Sequence, residues 1–245
     1  MIRFATFDAL YTIVRPRKPF QVQYAEVFAP FFGQLSPDAV RSSFRIALKN
    51  LQASRPAYSE GPESWWADVI EQTALGAGAR EADVKEHMPT VVHQLLHRFS
   101  SREGYALYED TIPTLKALHA MGVSTGLVTN ADSRILRALD DLGALSLFDP
   151  ICTSDDMGVE KPHKEIFITA CSDAEVKPEE TVHIGDELEC DYHGASRAGL
   201  HALLLCRSSG SEHQTESIEI HESNGIRCIK DLDDVVKFVQ EHNAV

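Results

Sequence analysis

Basic charge is scarce in this 245-residue chain: 23 Lys and Arg stand against 37 Asp and Glu, a net charge of −14. A surface of that sign repels a phosphate backbone, which argues against nucleic acid as a partner. Long apolar runs are missing too. No uninterrupted stretch approaches the ~18 residues of a membrane span, so no membrane role is expected. Cysteine is sparse: Cys152, Cys171, Cys190, Cys206 and Cys228 sit at irregular spacing with no Cys-x-x-Cys pair. An odd count in a chain of this length speaks against a disulfide framework and for a reducing, intracellular compartment, cytoplasmic or nuclear. The N-terminus reaches Asp8 within one short apolar run and has no Arg-rich leader, so no targeting segment is read there.

What is present is an ordinary globular composition, 43% hydrophobic and 24% charged. That suffices for one sizeable core and a small accessory domain. The charge is unevenly placed: residues 1–55 hold eight Lys and Arg against three Asp and Glu, so the rest of the chain carries the whole acidic excess. Part of the basic excess, Arg15, Arg17 and Lys18, follows the first apolar segment by a few residues, where it would meet an anion bound there.

Met1 to Phe7 is too brief for a helix and reads as a buried strand with Asp8 at its carboxyl end. From about Phe20 to Ser101 the period is helical. Ser36-Pro37-Asp38 and Gly61-Pro62-Glu63 supply helix starts, and four helices are expected with no strand. Trp65, Val69 and Ile70 fall at helical spacing and are expected to pack between helices rather than line a substrate site. His93 and His97, four apart, share a helix face but lack the glutamate of the zinc-protease motif, so a structural or solvent-facing role is expected rather than a metal site.

After about Glu103 helices and strands alternate: helix Asp110 to Met121, strand Val123 to Val128, helix Ser133 to Leu142, strand Pro150 to Thr153, helix Lys164 to Asp173, strand Val182 to Ile184, helix Leu188 to Ala198, strand His201 to Leu205. Such alternation predicts an α/β fold, a Rossmann-like parallel sheet with helices on both faces. The helical block is then an insertion after the first strand. Ser208 to Gly225 reads as an exposed polar loop, followed by a short strand at Ile226 to Ile229 and a closing helix at Asp231 to His242. Nothing in the sequence specifies an oligomer.

In such a sheet ligands bind at the carboxyl ends of strands, where the winding reverses. The residues expected there are Asp8, Thr129 with Asn130, Lys161 in Gly-Val-Glu-Lys-Pro, and Asp186 with Asp191 slightly beyond. Singly, each has a plain role as a turn or cap residue. Together, Asp8 and Asp186 suit a hard divalent cation such as Mg²⁺, which takes carboxylate and phosphate oxygens. With that cation and Lys161 neutralising a phosphoryl group, the Asp8 carboxylate can attack phosphorus in line while Thr129 and the backbone beside Asn130 hold phosphoryl oxygens.

The ordered set Phe-Asp8-Ala-Leu10-Tyr-Thr12, Val-Thr129-Asn130, Lys161-Pro162 and Gly185-Asp186-x-x-x-x-Asp191 resembles the four motifs of the haloacid dehalogenase-like hydrolase superfamily. The Trp65-Trp66 pair, Arg15-x-Arg17 and the fourth motif are most similar to its eukaryotic domain-containing-protein-3 group. The resemblance implies a core of residues 1–15 and 104–245, and a helical cap of the first type, residues 16–103, that closes over the site and selects the substrate. It implies that Asp8 is the nucleophile, Thr129 the phosphate-binding hydroxyl and Lys161 the stabilising cation. Mg²⁺ would be held by Asp8, the Leu10 backbone carbonyl and Asp186, supported by Asp191. The expected substrate is a small phosphorylated or anionic molecule, with Arg15, Arg17 and Lys18 attracting it.

One position departs from the pattern. Phosphatases of the superfamily carry a second aspartate two residues after the nucleophile, as general acid and base, and here that residue is Leu10. General acid–base assistance is worth about 10²–10⁴-fold, so ordinary phosphomonoesterase activity should be reduced. Tyr11 stands where glycine is usual and is expected to crowd that turn. Three readings follow: a weak or specialised phosphatase for phosphomonoesters or acyl phosphates, a degenerate hydrolase fold that binds without turnover, and a dehalogenase. Halide leaves without a proton, but dehalogenases need no metal and replace the fourth-motif aspartate that persists here as Asp186.

Overall fold

The computed structural model describes residues 1–54, 61–207 and 218–244. Two compact units emerge, one of Met1–Arg15 with Ala106–Val245, the other of Pro16–Tyr105. Around the points where the chain leaves and returns, β2 (Val14–Pro16) pairs with β3 (Tyr105–Leu107) in a two-stranded sheet. These three-residue strands are too short to leave a periodic signal in the sequence.

The discontinuous unit is a six-stranded parallel sheet flanked by helices. Its strands are β1 (Phe4–Phe7), β4 (Ser124–Thr129), β5 (Ile151–Thr153), β6 (Thr181–Gly185), β7 (His201–Leu205) and β8 (Cys228–Ile229), in the order β5-β4-β1-β6-β7-β8. Every residue of β1 and β6 is buried, as central strands covered on both faces require. The chain winds outward from β1 through β4 to β5, then crosses back to β6 on the other side of β1. That reversal lies beside β1, so the carboxyl ends of β1, β4 and β6 border one crevice. Helix α8 (Lys164–Asp173) buries Ile166, Phe167, Ala170 and Cys171 against Phe4 and Val128 of the sheet. Helices α5 (Thr111–Ala120), α6 (Ser133–Asp141) and α11 (Asp233–Asn243) complete the long covering helices.

Three local departures have physical causes. Leu188 to Ala198 is not one regular helix: a π-helical turn, Leu188–His193, precedes α9 (Gly194–Arg197). The amides of Asp191 and Tyr192 both donate to the Glu187 carbonyl, and the Asp191 side chain turns back onto the Glu187 amide, which widens the turn. A short α7 (Ser154–Met157) is capped by Thr153 and stopped by left-handed Gly158. Helix α10 (Ile218–Ser223) occupies part of the segment expected to be a polar loop; residues 208–217 of that segment lie outside the described residues. All five cysteines are free thiols.

The other unit holds the four expected helices: α1 (Phe20–Phe32), α2 (Pro37–Ser54), α3 (Pro62–Gly76) and α4 (Glu81–Arg98). Tyr24 and Phe28 anchor its core, with Phe44 edge-on to Tyr24 and Phe99 tilted against it. Trp65 is buried with Val69 and meets Trp66 edge-on at 5.0 Å, so the tryptophan pair is packing. His93 and His97 are exposed and border an open cavity of about 350 Å³ together with Arg98 and Glu103. No helix among the described residues is long and apolar enough to cross a membrane.

Candidate active site

Asp8 follows the last residue of β1, and its amide continues the sheet by donating to the Ile184 carbonyl of β6 at 2.9 Å. Register with β4 sets Phe7 beside Leu127, so Thr129 ends its strand near Asp8, where its hydroxyl favours the ionised carboxylate. Asp186 follows Gly185 at the end of β6. The sheet thus brings three strand ends from distant parts of the sequence to one point.

Lys161 reaches the same point from the loop before α8. Its ammonium lies 2.6 Å from Asp8 Oδ1 and 2.6 Å from Asp191 Oδ1, and the lysine is 3% exposed. Burying a cation so completely requires paired charge, and both partners are carboxylates. Asn130 fixes the loop: its Nδ2 donates to the Lys161 carbonyl (2.9 Å), and the Lys161 amide donates to its Oδ1 (2.7 Å). The Asn130 side chain is therefore committed to the lysine backbone, a positioning role rather than a contact with reacting atoms.

Asp191 is heavily committed as well. Its Oδ1 accepts from Lys161 Nζ and from His183 Nε2 (3.1 Å), and its Oδ2 accepts from the Glu187 amide (2.9 Å). Gly185 makes room for it, since a Cβ there would lie 2.1 Å from Asp191 Cγ. Burial opposes ionisation of Asp191, but the Lys161 ammonium and the His183 hydrogen bond outweigh it and hold the carboxyl well below the usual range. For Asp8 burial prevails: aided by the charge of Asp191, it pushes the pKa up to about 6 against the pull of Lys161 and Thr129. Of two carboxylates sharing one ammonium, Asp191 keeps its charge and Asp8 is the one a proton reaches first. Burial would lower the Lys161 pKa, yet the two carboxylates raise it, so the lysine stays charged.

The donor set fits a hard divalent cation. Oxygens of Asp8, Asp186 and Asp191 lie within 4.8 Å of one another, all three residues are buried, and Lys161 pairs with Asp8 and Asp191. Like charges so close and so dry repel strongly unless a cation intervenes. Each of the three could offer a ligand oxygen, and Asp191 differs in that both of its oxygens already accept hydrogen bonds. Leu10 lies two residues beyond Asp8, bridged to Val14, in a turn closed by the Tyr11 amide on the Val14 carbonyl at 2.7 Å. Tyr11 takes φ 62°, the left-handed region that glycine occupies at no steric cost. The turn thus keeps a glycine-like backbone with a bulky side chain on it.

The basic trio divides. Arg15 is exposed, with its guanidinium 5.6 Å from the Tyr108 ring in the sheet-bearing unit. Arg17 and Lys18 belong to the helical unit, where Arg17 donates to the Arg102 carbonyl and Lys18 pairs with Glu26. His183 and Thr6 escaped the sequence reading, although one signal was available. A histidine inside the wholly buried strand Thr181-Val182-His183-Ile184-Gly185 needs polar partners, and Thr6 faces it in register.

Strand order, a buried carboxylate at the end of the central strand and a lysine folded onto it define a candidate catalytic crevice on a Rossmann-like sheet. The haloacid dehalogenase-like hydrolase model matches residues 12–199, and the chain belongs to that family. It is 32% identical over 208 residues to haloacid dehalogenase-like hydrolase domain-containing protein 3 of Bos taurus, covering 83% of this chain and 82% of the relative. A shorter match, 36% over 131 residues (53% of this chain, 56% of the relative), is to glyceraldehyde 3-phosphate phosphatase of Methanopyrus kandleri. Among solved structures, the Bacillus subtilis hydrolase YfnB bound to magnesium superposes with a TM-score of 0.68 at 21% identity, covering 98% of this chain and 99% of that one.

Proposed function

We propose that this protein is a Mg²⁺-dependent phosphatase-type hydrolase using Asp8 as nucleophile, acting on small phosphorylated substrates whose leaving group departs without protonation. The observation that carries this reading is the Lys161 ammonium held between Asp8 and Asp191, with Asp186 completing a buried carboxylate cluster. The relative named a phosphatase adds support. A bound Mg²⁺ would neutralise charge on the cluster and on a phosphoryl group.

The chain's own residues account for the steps. Lys161 and the Thr129 hydroxyl hold the Asp8 carboxylate and neutralise or donate to phosphoryl oxygens. An Asp8 oxygen forms a bond to phosphorus as the bond to the leaving oxygen breaks, and the leaving group takes that electron pair. Water then attacks the aspartyl phosphate at phosphorus, releasing phosphate and restoring the carboxylate, with the water proton passing to solvent. Leu10 offers no proton to the leaving oxygen, so acyl phosphates and activated aryl phosphates, whose leaving groups are stable anions, fit the site better than alkyl esters. Arg15 is an exposed guanidinium available to draw the anion in.

The test is phosphate release from para-nitrophenyl phosphate with Mg²⁺ or with chelator, beside Asp8→Asn. Metal-dependent turnover lost in Asp8→Asn, with rates falling steeply as leaving-group pKa rises across a series of aryl phosphates, is the expected result. Turnover equal in the wild type and Asp8→Asn would sink the reading, and rates independent of leaving-group pKa would remove the leaving-group preference.

A further inference from the structure

The steps above make no use of His183, yet its ring is enclosed in the sheet at 1% exposure. The parallel register of β1 and β6 sets it opposite Thr6. Its Nδ1 lies 2.9 Å from Thr6 Oγ1, its Nε2 lies 3.1 Å from Asp191 Oδ1, and the Phe167 ring meets it edge-on at 5.0 Å. An ionised carboxylate can only accept a hydrogen bond, so Nε2 must carry the hydrogen. Lys161 already places an ammonium on the same Asp191 oxygen, and a second cation beside it, buried in the sheet, is strongly disfavoured, so the ring is neutral. Nδ1 is then an acceptor, and the Thr6 hydroxyl donates to it.

One directed chain results. Thr6 donates to His183, and His183 donates to Asp191 Oδ1. The same oxygen receives Lys161, which also donates to Asp8. With Oδ2 tied to the Glu187 amide, the Asp191 carboxylate is fixed against rotation from both ends. A lysine ammonium on a four-carbon stem is otherwise a mobile point charge, free to slide between two carboxylates.

We propose that His183 is a positioning residue for the Asp8 site: as the Nε2–H tautomer that Asp191 selects and the Thr6 hydroxyl supports, it immobilises Asp191 and thereby fixes the Lys161 ammonium on Asp8. Its kinetic consequence rests on the reading of Asp8 as a nucleophile; its geometric consequence does not. Groups of this kind, one step behind a metal or nucleophile, are worth about 10–100-fold in activity when removed.

The test uses the full chain and two readouts. Long-range ¹H–¹⁵N spectra should show a neutral His183 ring protonated at Nε2, and an Nδ1–H ring or an imidazolium overturns the proposal. Spectra of ¹⁵N-labelled lysine ammonium groups, with the Lys161 signal assigned by Lys161→Met, should be retained in His183→Gln, whose amide can donate to Asp191. They should be shifted or broadened away in His183→Phe, which keeps the ring against Phe167. An unmoved Lys161 signal in His183→Phe overturns the proposal. Thr6→Val, nearly isosteric, interrupts the same chain without touching the ring, and should weaken the Nε2–H preference even if His183→Phe folds poorly. In turnover of para-nitrophenyl phosphate, His183→Phe should lose about 10–100-fold in kcat with KM within about twofold, and His183→Gln should recover most of it. Equal losses in both variants that track their melting temperatures would mark His183 as merely structural. Should the wild type turn over no faster than Asp8→Asn, the phosphatase reading fails, while the ring and lysine spectra still decide the role of His183.

Discussion

Asn130 grips the backbone of Lys161 at two points, donating to its carbonyl and accepting from its amide at 2.9 and 2.7 Å. This paired contact joins the end of β4 to a loop 31 residues further on and sets where the ammonium begins its reach to Asp8. Asn130→Ala should lower kcat about 10–100-fold with little change in KM, because the lysine is displaced rather than removed. Asn130→Asp should rescue nothing, since its second oxygen would face the Lys161 carbonyl without a proton to offer. Steady-state kinetics of both variants beside their melting temperatures check this.

Leu10 is the position where chemistry could be restored. A carboxyl group there would supply the proton that an alkyl leaving group needs. Leu10→Asp should raise phosphate release from an alkyl phosphate by about tenfold or more while changing para-nitrophenyl phosphate turnover much less, since that leaving group needs little help. The ratio of the two rates is the measurement. An equal effect on both substrates would show that the missing acid does not set the substrate range.

Gly185 is required by contact rather than by φ. A Cβ would meet Asp191 Cγ at 2.1 Å and Oδ2 at 2.2 Å, so Gly185→Ala must push the Asp191 carboxylate off Lys161, His183 and Glu187. The expected cost is about 1–3 kcal/mol of stability, with turnover lost. Chemical denaturation and kinetics of this one variant read both effects.

Asp8 gives a pH signature. Its pKa is raised to about 6 in the folded chain, from an ordinary value near 3.8, chiefly by burial. A raised carboxyl favours folding fully below the unfolded value, and that contribution is lost as pH rises through the folded one. Without metal, stability should therefore fall between about pH 4 and 6, by about 1–3 kcal/mol. Asp8→Asn should flatten this fall and melt higher than the wild type at pH 7.5 in chelator. Asp191 acts with the opposite sign: its depressed pKa contributes stability above the ordinary carboxylate value that is lost only in strong acid. Thermal melts from strong acid to pH 7.5, with Asp8→Asn alongside, resolve the two.

Mg²⁺ should reverse the Asp8 penalty. Saturating Mg²⁺ is expected to raise the melting temperature of the wild type at pH 7.5, by mass action on the folded state. Asp186→Asn removes one of three clustered carboxylates. It should weaken the cation's affinity by about tenfold or more and remove most of the thermal shift. A titration of melting temperature against Mg²⁺ concentration measures this without any substrate.

The sequence by itself determined most of the local elements and the candidate site residues. Alternating apolar segments specify the parallel sheet, because buried strands need continuous apolar runs, and Pro37 and Pro62 mark helix starts through their fixed φ. Asp8, Thr129, Lys161 and Asp186 were legible because each stands just past an apolar segment or in the loop beyond it. Tertiary structure alone decided how they divide the work. That Asn130 holds Lys161, that Asp191 is tied to Lys161, His183 and Glu187, and that Thr6 meets the ring follow from strand register and from a π-helical turn. None of these leaves a local pattern. A hydrogen bond between Thr6 and His183 spans 177 residues of chain, and only the pairing of β1 with β6 makes them neighbours.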